Sequence, residues 1–153
     1  MRKTFRNKNV KEYWIDRWEA VAADKAMQNK LKYPLCSSLS ILDNTKKANS
    51  RILEAGCGTG RLLRYFHKNQ YNIIGIDFAE NAIKKIEELE LELKAEVGDI
   101  TDLRFENNTF THVLAFGLYH NFEEEMLNIA LKDTFRVMDI GGVLCASFRA
   151  DNL

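Results

Sequence analysis

The run Gly56-Cys57-Gly58-Thr59-Gly60 follows directly on the apolar stretch 51–55 and leads into a helical pattern carrying Leu62, Leu63 and Phe66. A strand that passes through glycines into a helix is a narrow structural prescription. Glycine lets the backbone approach a bound group closely, and a helix start offers N–H donors with no internal partner. The alternation then repeats. The pattern predicts strands at 72–76, near 93–97 and at 111–116, and helices around Ile83, Ile86 and Leu89 and over 123–138. A final strand at 143–148 follows Gly141-Gly142, which are read as the stop of the preceding helix. Short, continuously apolar strands separated by helices imply a parallel sheet covered on both faces, with right-handed crossovers.

Before residue 51 the character differs. Tyr13, Trp14, Trp18, Val21 and Ala22 recur at helical spacing, so a helix with an aromatic face is expected over about 11–30. A short second helix is expected over 35–42, with Pro34 at its start. The chain therefore divides into an N-terminal helical region, 1–50, and an α/β core, 51–153, within one domain of 153 residues. Charge is graded along the chain. Residues 1–32 hold nine basic and four acidic groups, 33–80 six and four, and 81–153 seven and fourteen, so the net values are +5, +2 and −7 within an overall balance of 22 and 22. That balance argues against nucleic acid as the main partner. Three widely spaced cysteines without a Cys-x-x-Cys pair argue against a disulfide framework or zinc site, and no apolar run is long enough for a signal peptide or a membrane span. A cytoplasmic protein is expected.

Asp77 ends the second strand 21 residues after Gly56, where a carboxylate can accept from two ribose hydroxyls; the bland alternative is a cap for the helix that follows. A dinucleotide loop would read G-x-G-x-x-G, but the residue three after Gly58 is Arg61, which counts against NAD. Instead, Ile52-Leu53-Glu54-Ala55-Gly56-Cys57-Gly58-Thr59-Gly60 resembles the first motif of class I S-adenosylmethionine-dependent methyltransferases. Ile74-Gly75-Ile76-Asp77, Val97-Gly98-Asp99-Ile100, the segment from Thr111 to His120, and the passage from Arg136 to Leu144 resemble their later motifs, in family order.

The resemblance implies a three-layer Rossmann-like α/β fold with a mostly parallel sheet in strand order 3-2-1-4-5, and S-adenosyl-L-methionine as methyl donor, leaving S-adenosyl-L-homocysteine. It implies that Gly56, Gly58 and Gly60, with Cys57 between them, line the methionine part. Glu54 would orient the loop or reach the amino group, Asp77 would hold the ribose, and Phe78 would stack near the adenine. Asp99 and the Ile100 amide would read the adenine edge, and the Phe116 main chain would lie beside the methionine group. Asp99 could equally cap a turn with Thr101, and Phe78 could be core. Cys57 has no expected nucleophilic role.

The resemblance further implies methyl transfer by direct in-line displacement, with a small molecule as acceptor and no covalent protein nucleophile. His120 and its neighbour Tyr119, at the end of the fourth strand, are the catalytic candidates, with His120 favoured for acceptor contact or proton removal against a plain helix-edge histidine. The stretch Tyr13-Trp14-Ile15-Asp16-Arg17-Trp18 resembles a leader that forms a lid, although Trp14, Arg17 and Trp18 are not expected to share one face. The family's last two strands have no counterpart after Phe148. The reading is a C-terminally truncated chain; the alternative is a short form whose open strand-five edge is covered by a partner, a homo-oligomer included. A non-catalytic or regulatory S-adenosylmethionine binder and an RNA or protein methyltransferase are the competing functions.

Overall fold

The computed structural model describes residues 10–21, 49–89 and 92–148. The expected helix at 35–42, its Pro34 start, and the first helix beyond residue 21 lie outside them. In chain order the elements are α1 (Val10–Ala20), β1 (Ile52–Ala55), α2 (Arg61–Lys68), β2 (Ile73–Asp77), α3 (Glu80–Leu89), β3 (Ala95–Val97), β4 (Phe110–Ala115), a 3₁₀ turn (Tyr119–Asn121), α4 (Glu124–Val137) and β5 (Met138–Ala146). The strands form one sheet in the order β3-β2-β1-β4-β5, every neighbouring pair parallel. Both the order and the fold class agree with the expectation from sequence.

The continuous apolarity of the central strands is explained by a core on each face. All four residues of β1 are buried. Alternate side chains of β1 and β4 point to opposite layers. Ile52 and Leu114 pack with Leu62, Leu63, Phe66, Ile83 and Ile86 of α2 and α3. Leu53, Val113 and Ala115 pack with Ala130 and Val137 of α4. In the second layer Tyr119 is one of the largest fully buried side chains. Its hydroxyl lies 2.7 Å from Thr134 Oγ1. The only Thr134 proton is donated to the Ala130 carbonyl, 2.7 Å away, so Tyr119 is the donor to Thr134.

One strand departs from the expected pattern. α4 ends at Val137 and the chain is already extended at Met138, so Gly141-Gly142 do not stop the helix; they lie inside β5. Phe110 pairs with Met138 and His112 with Val143, so the segment from 139 to 142 bulges out of the ladder and carries Ile140 to 92% exposure. Gly141 takes φ +78°, and a Cβ on Gly142 would lie 2.9 Å from the Asp139 carbonyl oxygen and 3.2 Å from that of Thr111. The glycines thus serve the bulge, where an L side chain would be strained or would collide.

The first strand is coupled to the first core helix by a buried carboxyl. Gly60, the N-cap of α2, provides no side-chain acceptor, and Glu54 on β1 takes that part: its Oε2 accepts from the Leu63 amide at 2.6 Å. Burial raises the Glu54 pKa from 4.5 to about 8, against the lowering effects of the Leu63 amide and Arg61.

Two stability measurements follow. The folded chain holds the Glu54 proton more tightly than the unfolded chain, so this contribution is whole below pH 4.5 and is lost as pH rises through about 8. The linked loss is on the order of several kcal/mol at most. Urea midpoints of the parent are expected to fall across that window, and those of Glu54→Gln to stay flatter. In the other core layer, Thr134→Val strands the Tyr119 hydroxyl and is expected to cost about 1–3 kcal/mol. Tyr119→Phe leaves the Thr134 bond to Ala130 in place and is expected to cost about 1 kcal/mol or less by urea unfolding.

Candidate functional site

In a sheet ordered 3-2-1-4-5 the connections leave β1 toward β2 on one side and reach β4 on the other, which opens a crevice at the carboxyl ends of these strands. A cavity of about 580 Å³ lies there, a volume typical of small-molecule sites. Its walls come from the loop after β1 (Gly56, Cys57, Thr59), the start of α2 (Arg61, Leu62), the end of β2 (Asp77, Phe78), the end of β4 (Phe116, Gly117, Leu118), and α1. Glu54 faces it from β1 and Asn121 from the 3₁₀ turn.

Asp77 ties two of these loops together. Its Oδ2 accepts from the Gly58 amide at 2.9 Å and its Oδ1 from the Ala79 amide at 2.9 Å. Burial raises its pKa and the two amides oppose that rise. Each carboxylate oxygen retains a second lone pair for a ligand hydroxyl. Beside it, the Cys57 side chain is tucked against β2, where a Cβ on Gly75 would meet its Sγ at 2.9 Å. Burial and the neighbouring Glu54 and Asp77 hold its thiol well above the ordinary range, so it stays protonated. The β4 loop is pinned from both ends: the Gly117 amide donates to Ser147 Oγ at 2.8 Å, and Asn121 Nδ2 donates to the Gly117 and Leu118 carbonyls.

Helix α1 forms the remaining wall. Trp14, Arg17 and Trp18 all line the cavity, which corrects the expectation that they could not face one way. Positions i, i+3 and i+4 share a helical face. The two indoles stack with centroids 5.9 Å apart, and the Arg17 guanidinium lies 5.5 Å from the Trp14 ring centre. Trp18 presses on the glycine loop: a Cβ on Gly58, at φ +53°, would stand 2.3 Å from the indole.

Of the residues expected from sequence, Glu54, Gly56, Cys57, Asp77, Phe78 and Phe116 are brought together on this cavity. Gly58 lies beneath Trp18, and Gly60 backs onto Ile86 in the core. Asp99 stands outside the wall. Burial pushes its pKa up, but bonds from the Thr101 amide and hydroxyl and from Lys11 Nζ at 3.1 Å outweigh this and leave it lowered. The Lys11 ammonium also lies 6.0 Å from the centre of the Phe78 ring, so Lys11 stands between Asp99 and the cavity's aromatic wall. Ile100 is buried in the core.

Tyr119 is a core residue, its hydroxyl committed to Thr134 and its ring stacked on Phe148, and it is no part of the cavity wall. His120 is exposed at the rim, its Cε1 3.9 Å from the Cβ position of the wall residue Gly117. Arg61, which in the sequence signified only a broken dinucleotide spacing, is a wall residue, as are Leu118 and Asn121. Leu118 lies within the fourth-strand motif without an assigned role, and Asn121 lies outside every motif. No group of three or more metal-ligating side chains occurs among the described residues, and no helix among them is long and apolar enough to cross a membrane.

Residues 52–142 match the family model of the methyltransferase domain. No curated protein matches the chain. Among solved structures, the MccD protein is 31% identical with a TM-score of 0.60, over 90% of this chain and 53% of its own. The PH0226 protein of Pyrococcus horikoshii OT3 is 21% identical with a TM-score of 0.67, over 86% of this chain and 64% of its own. An S-adenosylmethionine-dependent methyltransferase of Methanosarcina mazei is 21% identical with a TM-score of 0.65, over 75% and 57%. The chain thus spans between about half and just under two thirds of the length of these structures. With the family model covering most of the sheet, and the glycine loop and Asp77 at its switch point, the chain belongs to the class I S-adenosylmethionine-dependent methyltransferase family.

Proposed function

We propose that this domain binds S-adenosylmethionine in the cavity at the carboxyl ends of β1, β2 and β4 and transfers its methyl group to a small-molecule acceptor. The observation that carries the reading is the convergence, in one crevice, of a buried diol-accepting carboxylate, flat aromatic walls and two arginines. These suit the ribose, the adenine and the amino-acid tail of such a nucleoside respectively. When bound, S-adenosylmethionine supplies a methyl group activated by its sulfonium. The chain supplies alignment and the exclusion of water.

In this reading Asp77 accepts from the ribose hydroxyls through its free lone pairs, and Phe78 lies against the base. Gly56, Cys57 and the Phe116 main chain flank the methionine part. Arg17 and Arg61 offer guanidinium groups to its carboxylate, and Glu54 faces its ammonium. Asp99 and the Ile100 amide join the adenine contacts only when Lys11 yields its place, since Lys11 occupies Asp99 in the structure. His120, exposed beside the wall residue Gly117, takes the role of removing a proton from an acceptor hydroxyl or ammonium in this reading. The near-neutral overall charge favours a small acceptor over RNA. Two buried free cysteines, Cys57 and Cys145, suit a cytoplasmic setting.

The test is calorimetric titration with S-adenosylhomocysteine. Binding at one site per chain is expected, with release of a proton near pH 7, because the ligand's ammonium ionises a Glu54 whose pKa stands at about 8. The apparent heat should then vary with the ionisation heat of the buffer, and Glu54→Gln should remove that dependence. Absence of binding, with NADH bound instead, would overturn the assignment. With an identified acceptor, His120→Ala is expected to lower kcat by about 10²–10⁴-fold and to leave S-adenosylhomocysteine affinity within experimental scatter. An unchanged kcat would remove His120 from the proton path.

A further inference from the structure

α1 contributes no buried residue to the core, yet it forms a full wall of the cavity. Near its start Lys11 pairs with Asp99, and the rest of what fixes it in place is largely polar and comes from one face of α3. Lys85 Nζ donates to the Trp18 carbonyl, and also to those of Val21 at 2.7 Å and Glu19 at 3.3 Å. Trp18 and Glu19 are in the last turn of α1, whose carbonyls have no partner within the helix, Val21 directly follows it, and the ammonium stands at the negative end of the helix dipole. One turn earlier on α3, Asn81 Nδ2 donates to the Ile15 carbonyl at 2.9 Å and to Glu19 Oε2 at 3.2 Å. Residues 81 and 85 are an i, i+4 pair and share that face.

The residue whose carbonyl Lys85 holds is the one whose indole covers Gly58. The lysine therefore acts on the cavity through the backbone of Trp18, without touching the cavity itself. The same face also carries a cost. Asn81 Oδ1 is buried with no hydrogen-bond partner among the described residues, and it would regain water once α1 lifted. A helix with an exposed Ile15, no core residue and an unpaired polar atom at its seat belongs to the low-stability end of the fold. Its docked position is set by the polar contacts.

We propose that Lys85, assisted by Asn81, is a positioning residue for ligand binding: it latches α1 onto α3 so that Trp14, Arg17 and Trp18 close the cavity. Losing the ammonium frees the carboxyl end of α1, and the site loses its aromatic wall while the sheet and both core layers stay as they are. The effect on affinity rests on the S-adenosyl nucleoside reading of the cavity. The effect on α1 does not.

The chain has two tryptophans, and both, Trp14 and Trp18, lie on α1. Tryptophan emission of the full chain consequently reports this helix alone, with no ligand present. Lys85→Met, which keeps the apolar stem, is expected to red-shift the emission and raise acrylamide quenching. The far-UV circular dichroism melting midpoint is expected to stay near that of the parent. Lys85→Arg should restore the parent emission, and Asn81→Ala should shift it in the same direction as Lys85→Met. The dissociation constant for S-adenosylhomocysteine is expected to rise about tenfold in Lys85→Met and to recover in Lys85→Arg. Unchanged emission and quenching in a folded Lys85→Met would overturn the latch. Shifted emission with unchanged affinity would overturn its role in binding. Shifted emission in a chain whose parent does not bind S-adenosylhomocysteine would leave the latch standing and defeat the cofactor assignment.

Discussion

The Asp77 carboxylate is the interaction on which the crevice depends. It is a buried charge-bearing group at the end of β2, and it accepts one backbone amide from the β1 loop and one from its own. A carboxylate in such a place is costly unless its lone pairs are engaged, and here the engagement makes the architecture. Together with the Cys57 amide, which donates to the Ile76 carbonyl at 2.9 Å, the carboxylate holds the glycine loop against β2 so that the two strand ends form one surface. The same group that shapes the loop also lines the cavity.

Glu54 repeats the device one layer deeper. Glycine at the N-cap of α2 lets the chain turn sharply but leaves the helix without a side-chain acceptor, and a carboxyl from the preceding strand fills the gap. Because burial favours its neutral form, the site carries less negative charge than its two acidic residues suggest. Arg17 and Arg61 then dominate the electrostatics of the wall. This arrangement favours a ligand with its own anionic group and makes ligand binding and proton release a linked process.

The two outer edges of the sheet differ in character. β3 is a short strand of three residues, partly covered by contacts from α3. β5 carries a glycine bulge that swings Ile140 into solvent, and Phe135 and Phe148 are also more than half exposed. A bulge twists a strand and interrupts the regular run of amides that would invite edge pairing, while the apolar side chains beside it remain uncovered. One wall of the cavity is left to α1, a helix that is held mainly by polar contacts and adds no buried residue to the core.

The alternation of apolar runs with helical patterns was sufficient to place the first four strands and a parallel sheet, because burial on both faces forces continuous hydrophobicity; the strand order came from the family resemblance, and the fifth strand begins earlier than its pattern suggested. The glycine loop and Asp77 were legible because the crevice lies at strand ends, which can be read from local pattern; Glu54, Phe78 and Phe116, which also line it, came into view only through the family resemblance. What the sequence did not show depends on which segments meet in space. Gly141-Gly142 look the same whether they end a helix or form a bulge, and the nearby carbonyls of β4 decided for the bulge. Tyr119 and His120 are neighbours in sequence, but the position of Thr134 on α4 placed the first in the core and left the second at the rim. Lys85 and Asn81 carry no motif at all, because their function arises from the carbonyls of a helix some sixty residues earlier in the chain, a proximity that only the packing of α1 on α3 creates.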